Sequence, residues 1–83
     1  MNFNKYNNNF NIIGKKLKLI REEKNISQDQ LSNKLLLLGI TLYQSDIFKI
    51  ESNKRTVRDF ELWGITSVLG IKSEDLYLPD LTK

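Results

Sequence analysis

Apolar side chains recur along the chain at helical spacing. Ile13, Leu17 and Ile20 repeat at four and three residues with Lys24 completing the row, while Lys15, Lys16, Lys18, Glu22 and Glu23 occupy the other faces. One apolar stripe on a charged cylinder predicts an amphipathic helix, here over residues 12–24, with Asn25 able to end it. Leu31, Leu35 and Leu38 repeat the stripe and predict a second helix over 28–38. Its start is marked by Ser27-Gln28-Asp29-Gln30, a capping box in which the Ser27 hydroxyl accepts from the Gln30 amide and the Gln30 side chain reaches back to the Ser27 amide. Its end is marked by Gly39, placed for a left-handed cap.

Leu42 to Ser52 turns Ile47 and Ile50 inward and leaves Gln44, Ser45, Phe48 and Lys49 on the opposite side, which predicts a third helix whose outward face runs from Tyr43 to Ser52. The sequence Thr56-Val57-Arg58-Asp59 resembles a further cap, opening a fourth helix near residue 57 with Leu62, Ile65 and Leu69 as its stripe and Gly70 as its close. Ser73-Glu74-Asp75 begins a short fifth helix, its carboxylates in the first turn where the helix dipole favours them, and Pro79 stops it. No segment alternates at period two. The expectation is an all-α fold of five helices in a single domain over 12–78, since 83 residues can bury one modest core. Residues 79–83 form a C-terminal tail. Residues 1–11 hold six asparagines with Phe3, Tyr6 and Phe10 scattered among them at no regular period, and read as a flexible arm.

Composition narrows the function. The longest apolar run is Leu35 to Leu38, far short of the roughly 18–20 residues that span a bilayer, and the N-terminus lacks a basic start followed by an apolar stretch. A cytoplasmic protein without a membrane partner is expected. Cysteine and histidine are both missing, which removes disulfides, thiolate and imidazole metal ligation, and the two side chains most used in nucleophilic and acid–base catalysis. Serine needs an adjacent base, and the lysines lie on patterned outer faces, so no enzyme, metal or cofactor is expected. The formal charge of +3 conceals a division. Residues 1–58 carry eleven basic against five acidic side chains, whereas residues 59–83 carry two against five. A polyanion would be attracted to the first two thirds of the chain.

Four segments then occur in a telling order: Ile13-Gly14-Lys15-Lys16-Leu17 with Ile20-Arg21, Ser27-Gln28-Asp29-Gln30-Leu31, Ile47-Phe48-Lys49-Ile50-Glu51-Ser52-Asn53-Lys54-Arg55, and Leu69-Gly70-Ile71. In this order and spacing the chain resembles the phage repressor and Cro-like helix-turn-helix family, also called the xenobiotic-response-element family, over most of residues 12–78. The resemblance implies a five-helix lambda-repressor-like domain with the helix-turn-helix formed by its second and third helices. It implies sequence-specific binding of double-stranded DNA by a homodimer on a two-fold symmetric operator, as a transcriptional regulator, repressor rather than activator. Gln44, Ser45 and Lys49 lie at the family's base-reading positions, where glutamine can offer an amide pair to adenine and lysine can donate to guanine. Gln28 would hold a phosphate or flank the first base, and Lys54, Arg55 and Arg58 would grip the backbone. Arg21 and Glu51 stand where the family has a buried ion pair. Trp63 falls beside the fourth stripe, as a dimer or partner surface or as a partly buried core residue.

Several positions admit more than one role. Gln44 could instead close a capping box begun at Thr41. Phe48 could touch a thymine methyl group or belong to a core or interface. Asp46 repels phosphate unless it accepts from a cytosine amino group or pairs with a lysine. The link from Leu35 to Tyr43 exceeds the family's short turn, so the second helix is expected to gain a turn. These departures support an alternative, a protein-interaction module on a helix-turn-helix scaffold such as an antitoxin or anti-repressor, binding through Tyr43, Phe48 and Trp63.

Overall fold

A computed structural model describes residues 5–78 of the chain. Four α-helices follow one another, α1 (Gly14–Glu23), α2 (Gln28–Leu36), α3 (Gln44–Glu51) and α4 (Asp59–Leu69), and a 3₁₀ turn (Ser73–Leu76) packs on α4. No strand occurs among the described residues. The fifth element is thus a 3₁₀ turn and not an α-helix. The expected stop at Pro79 and the tail lie outside the described residues.

Helix α3 packs against both α1 and α2, and α2 packs against α4. Their inward faces meet in one core of Ile13, Leu17, Leu31, Leu35, Ile40, Leu42, Ile47, Ile50, Ile65, Leu69 and Leu76. Each such side chain contributes about 1.5–3 kcal/mol by leaving water. Ile47 and Ile50 have no exposed surface, so they fix the rotation of α3 about its own axis and decide which side chains face out.

The ends of the helices depart from the periodic pattern for local reasons. Helix α1 starts two residues later than the stripe suggests, because the Asn11 carboxamide oxygen accepts from the amides of Ile13 and Gly14 at 3.0 and 2.9 Å. It ends at Glu23, and Asn25 takes the left-handed conformation at φ 58°. Helix α2 opens on the Ser27–Gln30 capping box, with the Gln30 amide 3.0 Å from the Ser27 hydroxyl and the Ser27 amide 2.8 Å from the Gln30 side chain. It does not gain a turn. It ends at Leu36, where the amides of Leu38 and Ile40 both donate to the Leu35 carbonyl and Gly39 turns left-handed at φ 81°. Leu38, expected on the core face, is therefore exposed, and Ile40 enters the core in its place. Residues 37–43 carry the extra length as an irregular connection, pinned where the Ser32 hydroxyl donates to the Leu42 carbonyl at 2.6 Å.

Helix α4 begins at Asp59, not near 57, because Glu61 accepts from the Arg58 amide at 3.0 Å and makes Arg58 the cap position. Gly64 on α4 meets Leu35 and Ile40 where α2 and α4 touch, and Leu62 packs at the edge of the core. The described part of the N-terminal arm makes hydrogen bonds within itself and to the rest of the fold. Tyr6 and Asn9 exchange backbone hydrogen bonds of 2.7 and 2.9 Å around Asn7 and Asn8, both at positive φ, a conformation asparagine tolerates. The Phe10 amide donates to the Asn53 carbonyl, and the Asn11 carboxamide nitrogen donates to the carbonyls of Ile50 and Arg55 at 3.0 and 2.8 Å. Asn11 thus ties the start of α1 to the end of α3.

Candidate nucleic-acid interface

With Ile47, Ile50 and Glu51 turned inward, α3 presents Gln44, Ser45, Phe48 and Lys49 to solvent. These are the four candidate base-reading side chains, and the fold brings them to one face of one helix. Tyr43, at its cap, is also exposed. The Thr41 capping box does not form. The N-cap is Tyr43, and the side chain that reaches back to its amide is Asp46, at 2.9 Å. Asp46 therefore has a structural task, and it also lies 3.9 Å from the Arg55 guanidinium. Its carboxylate is half-buried, away from the outward row.

Behind that face runs a connected set of polar side chains. The Arg21 guanidinium grips Glu51 through two hydrogen bonds, Nε to Oε2 at 2.6 Å and Nη2 to Oε1 at 3.0 Å, and its third nitrogen donates to the Ile26 carbonyl at 2.7 Å. Both side chains are buried. The hydrogen bond to Glu51, opposed by desolvation, keeps the Arg21 pKa above its ordinary value. Glu51 Oε1 also accepts from Gln28 Nε2 at 2.9 Å, and Gln28 Oε1 in turn accepts from Gln44 Nε2 at 2.6 Å. A chain of hydrogen bonds thus runs from a buried arginine to an exposed glutamine on α3. Each link fixes the next: because Glu51 can only accept, Gln28 must turn its nitrogen inward and its oxygen toward Gln44. On the exposed Gln44 this leaves the carboxamide oxygen and the second N–H without a partner among the described residues. Gln28, expected at a phosphate, is engaged with Glu51 and Gln44.

Arg55, also expected at a phosphate, is engaged within the protein. Its guanidinium is held bidentately by Glu61 at 2.8 and 3.0 Å and donates to the Thr56 carbonyl at 2.9 Å. The Glu61 hydrogen bond, again opposed by desolvation, raises its pKa. Burial of the Glu61 carboxyl works against its charge. Hydrogen bonds from Arg55 and from the Arg58 amide, with the positive charges of both arginines, outweigh that burial and lower its pKa. Lys54 and Arg58, the other expected backbone contacts, are exposed and carry no ion pair among the described residues.

Trp63 is 58% exposed on the outer face of α4 beside Phe60, which is 49% exposed. The periodic pattern passed over Phe60 and the exposed Leu36 and Leu37. It also passed over Asn11 and Glu61, although Arg58-x-x-Glu61 has the spacing of an N-cap and its third helical residue. Among the described residues, one cleft of about 260 Å³ lies between Phe10, Thr56, Leu62 and Tyr77 and another of about 150 Å³ between Ser32, Leu36 and Tyr43. Both fall below the roughly 300–1,000 Å³ of typical small-molecule sites. Among the described residues no cluster of acidic side chains could hold a metal ion, and no helix is long and apolar enough to cross a membrane.

Comparison with protein-family models, with curated proteins and with solved structures gives no significant match.

Proposed function

We propose that this chain binds double-stranded DNA sequence-specifically, as a repressor-like helix-turn-helix protein in which α2 and α3 form the motif and α3 enters the major groove. The observation that carries the reading is the outward face of α3. Gln44 offers one acceptor and one donor, the pair that fits the N6 and N7 edge of adenine, and its amide is held in that polarity by Gln28. Ser45 and Lys49 extend the same face, and Lys54 and Arg58 flank it with unpaired positive charge for phosphates. The function is transcriptional regulation by a homodimer, with half-sites about one helical turn, roughly 34 Å, apart. Phe60 and Trp63 on α4 supply an apolar surface for pairing, in the third of the chain where acidic residues predominate.

Selection of bound sequences from random DNA tests the proposal. A single recovered motif is expected, with Gln44→Ala relaxing one position and Lys49→Ala another, and with affinity falling steeply as salt rises. Recovery of no motif removes the proposal.

A second reading, a protein-interaction module on the same scaffold, is favoured by a specific observation: Leu36, Leu37, Tyr43 and Trp63 are all more than half exposed. Where such side chains adjoin, as Leu36 and Tyr43 do at one cleft, an apolar surface of this kind suits a protein partner. A stoichiometric protein co-purifying with a chain that enriches no DNA sequence decides for it.

A further inference from the structure

An exposed aromatic ring in the middle of a polar helix face needs a ligand that rewards it. Phe48 is 53% exposed, and the burial of Ile47 and Ile50 on either side prevents α3 from turning it inward. It stands one turn beyond Gln44, in the same outward row, with Lys49 beside it. No carboxylate shares that row, since Asp46 is turned back to the Tyr43 amide. In the major groove the one apolar group on a base edge is the C5-methyl of thymine. We infer that Phe48 reads that methyl group, and this rests on the DNA-binding reading above.

The geometry also sets where the thymine lies. Gln44 is anchored from behind through Gln28 and Glu51, so the base it reads is fixed relative to the fold. Phe48 lies four residues further along α3, about 6 Å at 1.5 Å per residue. Base pairs repeat at about 3.4 Å. The methyl group therefore lies one or two base-pair steps from the adenine edge taken by Gln44, and the two residues read neighbouring but separate positions of one half-site. Gln44 recognises by hydrogen bonds and Phe48 by apolar contact alone, so the second position is blind to hydrogen-bond pattern and sensitive to one carbon atom.

Deoxyuridine differs from thymidine only by that methyl group, which gives a direct test. The full chain is used to select its site from random DNA, each thymine of the site is then replaced singly by deoxyuridine, and affinities are measured by fluorescence anisotropy. For the native protein one thymine per half-site is expected to be sensitive, with binding weakened about fourfold, the effect of losing one buried methyl group. Phe48→Ala is expected to bind the thymine and deoxyuridine sites equally, whereas Gln44→Ala retains the methyl response. Phe48→Leu, which keeps apolar contact and helix propensity, retains part of it and serves should Phe48→Ala fail to fold. If a site is selected and Gln44→Ala shifts its preference, yet no thymine is methyl-sensitive or Phe48→Ala keeps the sensitivity, the inference falls and the DNA reading stands. If no sequence is enriched and a protein partner is lost on changing Phe48, both fall.

Discussion

The Arg21–Glu51 pair is where fold and candidate interface depend on the same atoms, and replacing Arg21 with methionine separates the two. The substitution keeps the aliphatic stem and removes the guanidinium. The Glu51 carboxylate, with its side chain 2% exposed, then loses donors at 2.6 and 3.0 Å and keeps only Gln28 at 2.9 Å. Leaving one partner of a buried pair uncompensated costs about 3–5 kcal/mol. A domain of this length has a total stability of about 4–12 kcal/mol at 0.05–0.15 kcal/mol per residue. The single variant is thus expected to lose about a quarter of its stability or more, seen as a melting point lower by about 12–40 °C at 4–8 °C per kcal/mol. Urea unfolding followed by far-ultraviolet circular dichroism gives the free energy directly. The double variant Arg21→Met with Glu51→Leu removes both charges, and its stability is expected to return close to that of the native protein. It also removes the acceptor that orients Gln28, so recovered stability is expected with weakened discrimination at the base read by Gln44. An Arg21→Met variant within about 1 kcal/mol of the native protein would show that the carboxylate is not buried and paired as described, and would refute the reasoning.

Gly14 lies where α1 passes the end of α3, and a Cβ there would collide with the carbonyls of Ile50 and Glu51 and with the Asn53 side chain. Gly14→Ala is accordingly expected to lower stability by about 1–3 kcal/mol in urea unfolding, despite the better helix propensity of alanine. The Glu61 carboxyl titrates below its ordinary value of 4.5 in the folded protein, so its contribution is present above that pH and lost as pH falls through the lowered value. Urea midpoints from pH 7 to pH 3 are expected to show Glu61→Gln less stable than the native protein at neutral pH, with the gap closing below about pH 4.5. Lys54→Ala and Arg58→Ala are each expected to reduce the slope of log affinity against log salt by about 1. Arg55→Ala, by contrast, is expected to reduce stability and leave that slope unchanged, because its charge is committed to Glu61.

Much of this was legible in the chain itself. Leu17, Leu31, Leu35, Ile47, Ile50, Ile65 and Leu69 are buried as their spacing requires, and the Ser27–Gln30 box forms as its spacing requires. The outward set of Gln44, Ser45, Phe48 and Lys49 follows from the same periodicity, since burying Ile47 and Ile50 leaves those positions no other side. What periodicity cannot supply is the competition for hydrogen bonds at helix ends. Leu38 continues the stripe of α2, yet the Leu35 carbonyl is taken by amides beyond the helix and the chain turns at Gly39. Asn11 carries no apolar signal, yet its carboxamide satisfies two amides of α1 and two carbonyls at or beyond the end of α3. A side chain that acts by joining distant backbone groups leaves no local pattern to find.

Charge shows the same limit with a consequence for function. Counted along residues 1–58, the basic side chains outnumber the acidic ones by six, and that surplus suggests a broad positive surface. Folding redistributes it. Arg21 is neutralised by Glu51 beneath α3, and Arg55 is neutralised by Glu61, a carboxylate that the count assigned to the acidic third of the chain. Asp46, which as a bare charge should repel phosphate beside the outward face, is turned to the Tyr43 amide and toward Arg55. On α3 and just after it in the chain, the basic side chains outside an ion pair among the described residues are Lys49, Lys54 and Arg58. On the proposed function, these three exposed charges beside the neutral row of Gln44, Ser45 and Phe48 would orient a duplex by its phosphates and leave discrimination to the row itself. That separation of grip from reading is why, on the proposed function, salt should govern how tightly this chain binds and α3 should govern where.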